Sequence, residues 1–96
     1  MPKSDKIVVV FHADGCHFCH QYLPRFRRVA GKYKGQVAIK SANLSRAENA
    51  KVADRYKIEG VPATCILDGS EKLLHKEEGD LDEKGIEALF KKAVGG

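Results

Sequence analysis

The chain lacks any unbroken apolar run longer than Ile7 to Phe11, far short of the ~20 residues that a membrane-spanning helix requires. Its opening, Met1-Pro2-Lys3-Ser4-Asp5-Lys6, is polar and leads into only a strand-length apolar stretch. That is not the pattern of a secretion signal, so a cytoplasmic protein is expected, with no membrane partner. No repeat, linker or low-complexity segment divides the 96 residues, and a single domain over 1–96 is expected from that length. Cysteine is sparse and odd in number, at three residues, which argues against a fully paired disulfide framework. Methionine is confined to Met1. Neither sign of charge dominates: 17 Lys and Arg stand against 13 Asp and Glu, for a net +4. The densest basic cluster, Arg25, Arg27 and Arg28, reads as the solvated face of a helix, and no nucleic-acid partner is expected.

What is present is an ordinary globular composition, 43% hydrophobic and 31% charged. Lys6 to His12, with three consecutive valines, reads as a strand buried on both faces. Ala13-Asp14-Gly15 is a loop. A helix should start near Cys16, with Cys19, Tyr22, Leu23, Phe26, Val29, Ala30 and Tyr33 recurring on one face. Pro24 lies inside that pattern and predicts a kink. Gln36 to Lys40 reads as a second strand. Ser45 and Glu48 have the spacing of a capping box for a helix running to about Tyr56. Ala63 to Leu67 is a third strand, and the Asp68-Gly69 turn should return the chain as a hairpin through Lys72 to Lys76. On that edge strand His75, alternating with Leu74, is expected to face solvent. Asp80 and Glu83 form a weaker cap signal for a last helix whose buried face is Ile86, Leu89, Phe90 and Ala93.

The order is β-α-β-α-β-β-α, an α/β fold with a central four-stranded mixed sheet flanked by three helices. Right-handed crossovers put the second helix on one side of the sheet and the first and last on the other.

Within this plan Cys16 falls at the N-terminus of the first helix, directly after a buried strand. Free amides and the positive end of the helix dipole favour an anion there. The useful anion is a thiolate, because the thiolate and not the thiol attacks a disulfide. Cys19, nearly one turn on, can reach the same sulfur and resolve a mixed disulfide. His17, when protonated, would add to the dipole in stabilising the thiolate, with Phe18 completing the redox-tuning dipeptide. A stabilised reduced form makes the disulfide a stronger oxidant.

The segment Val9-Val10-Phe11-His12-Ala13-Asp14-Gly15-Cys16 resembles the strand and loop leading to the active site of the thioredoxin superfamily. Pro24 stands where thioredoxins carry the proline of this helix. Gly60-Val61-Pro62-Ala63-Thr64 resembles the family's cis-proline segment, and Asp68-Gly69 and Glu78-Gly79 match its hairpin turn and the glycine before its last helix. The resemblance covers almost the whole chain. It implies a thioredoxin fold, a cis Val61–Pro62 bond, and a substrate groove built from Gly15, Val61, Pro62 and Gly79. It further implies a protein-disulfide oxidoreductase using the Cys16–Cys19 disulfide and no other cofactor. Its partners would be protein disulfide or dithiol substrates and an electron donor or acceptor, and the chain would act as a monomer. The chain departs from the pattern in three places. The family's opening strand and helix have no counterpart here, Gly15 replaces the usual tryptophan, and Val10 stands in place of a buried carboxylate.

Competing readings of the same residues are a c-type haem motif in Cys16-His17-Phe18-Cys19-His20 and a zinc or iron–sulfur site drawing on His12, Cys16, His17, Cys19 and His20. Against haem stand the missing export signal and the absence of any methionine beyond Met1. Against zinc stands the lack of a second C-x-x-C. A non-catalytic peptide-binding module is a further alternative, disfavoured by retention of both cysteines. Cys65 is expected to be a small buried core residue and not a second redox thiol.

Overall fold

The computed structural model describes residues 4–95; of the polar opening, Met1, Pro2 and Lys3 lie outside them. Strand β1 (Ile7–His12) leads into helix α1 (His17–Ala30), which ends in a short 3-10 turn (Gly31–Tyr33). Then follow β2 (Ala38–Asn43), α2 (Ala47–Arg55), β3 (Ala63–Leu67), β4 (Leu73–Glu78) and α3 (Glu83–Gly95). The sheet order is β2-β1-β3-β4. β1 runs parallel to β2 and antiparallel to β3, and β3 runs antiparallel to β4. The sheet is therefore mixed, in the order of elements that the sequence predicts.

β1 explains the layering. Side chains alternate across a strand, and here both sets are buried. Val8 and Val10 join Tyr22, Phe26, Ile86 and Phe90 beneath α1 and α3. Val9 and Phe11 join Ala53, Tyr56, Cys65 and Leu67 beneath α2. A strand covered on both faces needs a continuous apolar run, which is what the valines supply. On the α1 and α3 side Phe26 and Phe90 lie with ring centroids 5.6 Å apart, and Tyr33 stacks on Phe90 at 5.1 Å. Across the surface above them Arg25 reaches Asp80 at 2.6 Å and the Leu81 carbonyl at 2.7 Å, while Arg28 pairs with Glu83. Two of the three clustered arginines thus tie α1 to the start of α3.

Several boundaries differ from expectation, each for a physical reason. β2 occupies Ala38–Asn43 and not Gln36–Lys40, because Ser41, Ala42 and Asn43 pair in register with Val10, Phe11 and His12 despite weak strand propensity. Ser45 does not cap α2: Arg46 takes the N-cap position without a side-chain bond, and the Ser45 hydroxyl instead accepts the Asp14 N–H at 3.1 Å. Asp80 is likewise engaged by Arg25, and Asp82 accepts the Gly85 N–H at 2.8 Å at the start of α3. On β4 the register slips between Ile66 and Leu67, which face His75 and Leu73. Leu74 is the extra residue and points outward, 47% exposed. His75 lies opposite the core residue Ile66, half-buried, 3.1 Å from Glu77. The expectation of a solvent-facing His75 is thereby corrected, since a bulge breaks the simple alternation. α1 continues as one helix through Pro24.

Two buried polar features govern stability. Tyr22 and Thr64 share a hydroxyl–hydroxyl bond of 2.6 Å inside the core. Removing one partner strands the other, at a cost of about 1–3 kcal/mol, whereas removing both leaves nothing unpaired. Tyr22→Phe is expected to destabilise the protein by that amount in urea unfolding, and adding Thr64→Val to restore most of it.

Cys65 is fully buried. Burial pushes its thiol up from 9.0 to about 11, a rise that nearby Lys76 opposes and Glu78 reinforces. A thiol whose folded pKa lies above its unfolded value holds its proton more tightly when folded. The resulting stability is complete below pH 9.0 and is lost as pH rises toward about 11. Unfolding measured across this range is expected to show the loss in the native protein and a smaller one in Cys65→Ala, where the buried Tyr22 hydroxyl, also raised by burial, still contributes. Iodoacetamide at neutral pH should label Cys65 only after denaturation.

Candidate active site

β1 ends at His12 in the middle of the sheet, and after four intervening residues the chain enters α1 at His17. The Cys16 amide donates to the Ala13 carbonyl at 3.2 Å, closing the connecting loop. Cys16 thereby becomes the N-cap of α1 with extended backbone, and its Sγ accepts the Cys19 N–H at 3.1 Å. A sulfur occupies the place where an oxygen normally caps a helix. An acceptor is favoured there because first-turn amides lack intrahelical partners, and a charged acceptor gains further from the dipole. No acidic side chain in the first turn of α1 competes for that position.

Cys16 and Cys19 are joined as a disulfide with Cα atoms 5.2 Å apart. The two sulfurs differ in access: Cys19 is 1% exposed on the core face of α1, while Cys16 is half-buried at the surface. Cys16 Sγ also lies 3.6 Å from the Val61 carbonyl oxygen. The Val61–Pro62 peptide is cis, and the Pro62 carbonyl accepts the Gly79 N–H at 2.8 Å. Gly79 has φ of +115°, a conformation open to glycine and strained for other residues. Gly15, Val61, Pro62 and Gly79 therefore surround one end of the sheet beside Cys16. A Cβ on Gly15 would meet nothing within 4 Å, so this side of the dithiol is open.

His17 and Phe18 project from the first turn of α1. Phe18 is 57% exposed, with the His17 ring edge-on at 5.6 Å. His17 Nε2 lies 3.3 Å from Gln21 Nε2, so the ring is engaged along the helix and makes no hydrogen bond to Cys16 Sγ. Any influence of His17 on the thiolate acts through its charge and not through a direct bond.

The remaining ligand candidates do not converge. His20 bonds the Asp14 carbonyl through Nε2 at 3.0 Å. His12 stands at the end of β1, its pKa lowered first by burial and then by the Arg27 charge. Among the described residues no three His, Cys, Asp or Glu side chains come together as a metal site.

One part of the site carries no sequence signal. Asn43 donates from Nδ2 to Asp14 Oδ1 at 2.7 Å, and its own Oδ1 accepts the Ser45 N–H at 2.9 Å. Asn49 Nδ2 donates to the Asn43 carbonyl at 3.0 Å, and the Leu44 N–H donates to the His12 carbonyl at 2.7 Å. With the Ser45–Asp14 bond, this network anchors the loop before Cys16 to the β2–α2 connection. Its bonds to Asp14 come from Ser45 and Asn43, 31 and 29 residues away in the chain, beyond any local motif.

Comparison with known proteins agrees with this geometry. The family model for thioredoxin matches residues 1–92. A thioredoxin of Peptoclostridium acidaminophilum is 32% identical over 89 residues, covering 93% of this chain and 79% of the relative. Protein disulfide-isomerase A4 of Homo sapiens is 35% identical over 83 residues, which are 84% of this chain and only 13% of that longer protein. In fold, a mutant thioredoxin from Halobacterium salinarum NRC-1 superposes with a TM-score of 0.79 at 22% identity, covering 95% of this chain and 76% of that one. With its C-x-x-C pair at the head of α1, the chain belongs to the thioredoxin family and is a protein thiol–disulfide oxidoreductase.

Proposed function

We propose that Cys16 is the attacking thiol and Cys19 the resolving thiol in exchange with disulfides of protein substrates. The carrying observation is the asymmetry of the pair: one sulfur capping a helix at the surface, the other 1% exposed behind it. In the reducing direction the Cys16 thiolate attacks a substrate sulfur and forms a mixed disulfide. The other substrate sulfur leaves as a thiolate and takes a proton. Cys19 then gives up its proton to solvent and attacks Cys16 Sγ. The second substrate thiolate departs, leaving Cys16–Cys19 oxidised and the substrate richer by two electrons and two protons. The disulfide itself is the only redox group this sequence of steps uses, and an electron donor or acceptor must reset it.

Gly15, Val61, Pro62 and Gly79 form the substrate groove in this reading. The position of the Val61 backbone beside Cys16 Sγ supports it, because an extended polypeptide laid there presents its own backbone to Val61 while its cysteine meets the sulfur. The exposed Phe18 ring offers an apolar contact at the rim. A monomer acting in the cytoplasm fits the small, single-sheet fold and the restriction of its redox chemistry to one pair. No long apolar helix is present among the described residues.

Reduction of insulin by dithiothreitol tests the roles. Cys16→Ser is expected to lower the rate to the uncatalysed background. Cys19→Ser should trap a mixed disulfide through Cys16. A trap formed by Cys16→Ser in its place would reverse the assignment.

The place of His17 directly after the helix-capping Cys16 in the chain supports a disulfide more oxidising than thioredoxin's. A glutathione titration is expected to place the midpoint at about −230 to −180 mV, with His17→Ala moving it negative. A midpoint at about −270 mV, or no response to His17→Ala, would remove His17 from the mechanism.

A further inference from the structure

One cavity of the molecule lies away from the dithiol. It is a trough of about 410 Å³ between α1 and β2, floored by Leu23, Phe26, Val37 and Ile39. Arg27, Lys34 and Lys40 stand around it, and none of the three forms an ion pair among the described residues. A second, smaller cavity of about 160 Å³ lies on the opposite face of the sheet, between β2 and α2, lined by Val9, Ala42 and Val52. Lys40 and Ser41 border both. One edge strand is thus under-covered on its two faces at once.

Along its edge that strand carries a single exposed charge, Lys40. β2 lies at the end of the sheet and pairs with β1 over six residues without a bulge. Among the described residues no backbone hydrogen bond from outside the sheet reaches the interior of β2. The other edge, β4, is interrupted by its bulge and carries Lys76, Glu77 and Glu78, the usual means of discouraging edge pairing.

We infer that the outer edge of β2 docks an extended segment of a partner protein in which apolar and acidic side chains are interspersed. A strand added there pairs with the free backbone row, and its alternating side chains enter the trough beside α1 and the cavity beside α2 in turn. A small amphipathic acid would fill only one of the two cavities. A second copy of this chain would bring Arg27, Lys34 and Lys40 against their own duplicates, and like charges placed across an interface oppose association. The three unpaired cations select acidic residues instead. The inference goes beyond disulfide exchange, because the edge lies on a different part of the sheet from the groove at Val61 and Pro62.

The test uses the full chain, isotopically labelled, and a cysteine-free peptide with blocked termini in which pairs of valines alternate with pairs of glutamates, so that each face of the added strand carries both. Amide shifts are expected in Ala38–Asn43 and on both flanking faces, with slowed hydrogen exchange at the outward amides of β2. Arg27→Glu and Lys34→Glu, both on the exposed rim, should each weaken binding by up to about five-fold while the insulin assay is unchanged. A valine–lysine peptide should bind more weakly than the glutamate one. The inference is overturned by silence at β2 with millimolar peptide, or by shifts confined to the surroundings of Val61 and Pro62. Decanoate giving the same shifts as the peptide, on the α1 face alone, would assign the trough to a small amphiphile and overturn it. Self-association through β2 in sedimentation would overturn it in favour of a second copy. Because the peptide has no thiol, none of these outcomes depends on the roles of Cys16 and Cys19.

Discussion

The burial of β1 on both faces is the constraint from which the rest of this structure follows. Val8 and Val10 need cover on one side, Val9 and Phe11 on the other, and all four are at most 6% exposed. Burying a side chain of this size contributes about 1.5–3 kcal/mol, so a sheet bare on either face would forfeit a large share of the stability of a small domain. The demand is met by α1 and α3 above and α2 below. Because α1 follows β1 after a short loop, its N-terminus must emerge at the end of one of the two central strands. The dithiol sits there because the core places that helix end there.

A helix end at the rim of a packed sheet makes two neighbouring cysteines chemically unequal. Cys16, outside the first turn, has the cap position, with surface access and an amide donor from Cys19. Cys19, inside it, faces the core with Tyr22 one turn later. The spacing of the motif thus converts one turn of helix into a division of labour between an accessible sulfur and a sheltered one. The polar network of Asp14, Asn43, Ser45 and Asn49 adds a second support, holding the loop before Cys16 against the β2–α2 connection. Individually such exposed bonds contribute little, and together they restrict where the first cysteine can lie.

The two edges of the sheet are finished differently. β4 bulges at Leu74, turns His75 inward and presents charges, whereas β2 stays regular with cavities on both sides. The β2 edge strand meets the redox end at Asn43, through its bond to Asp14.

Much of this was legible in the linear chain. The valine run, the apolar face of α1 from Cys19 to Ala30 and the face of α3 are properties of local periodicity, and they give the order of elements, the layering and the position of Cys16 at a helix start. The Cys16–Cys19 spacing and the Val61–Pro62 segment likewise named the residues that the structure gathers around one sulfur. Decisions that depend on competition for partners were not legible. Ser45 has the spacing of a cap, but its hydroxyl meets the Asp14 amide from 31 residues away. Asp80 has the spacing of a cap too, and Arg25 takes it from across the α1–α3 surface. The length of β2 came from its partner and not from Ser41, Ala42 or Asn43, and His75 turned inward because a bulge shifted the register. Periodicity in the sequence determined which faces are buried, because burial is a local average over many residues. Tertiary structure alone decided which polar atom each side chain meets, because a hydrogen bond depends on two groups that only the folded chain brings within reach.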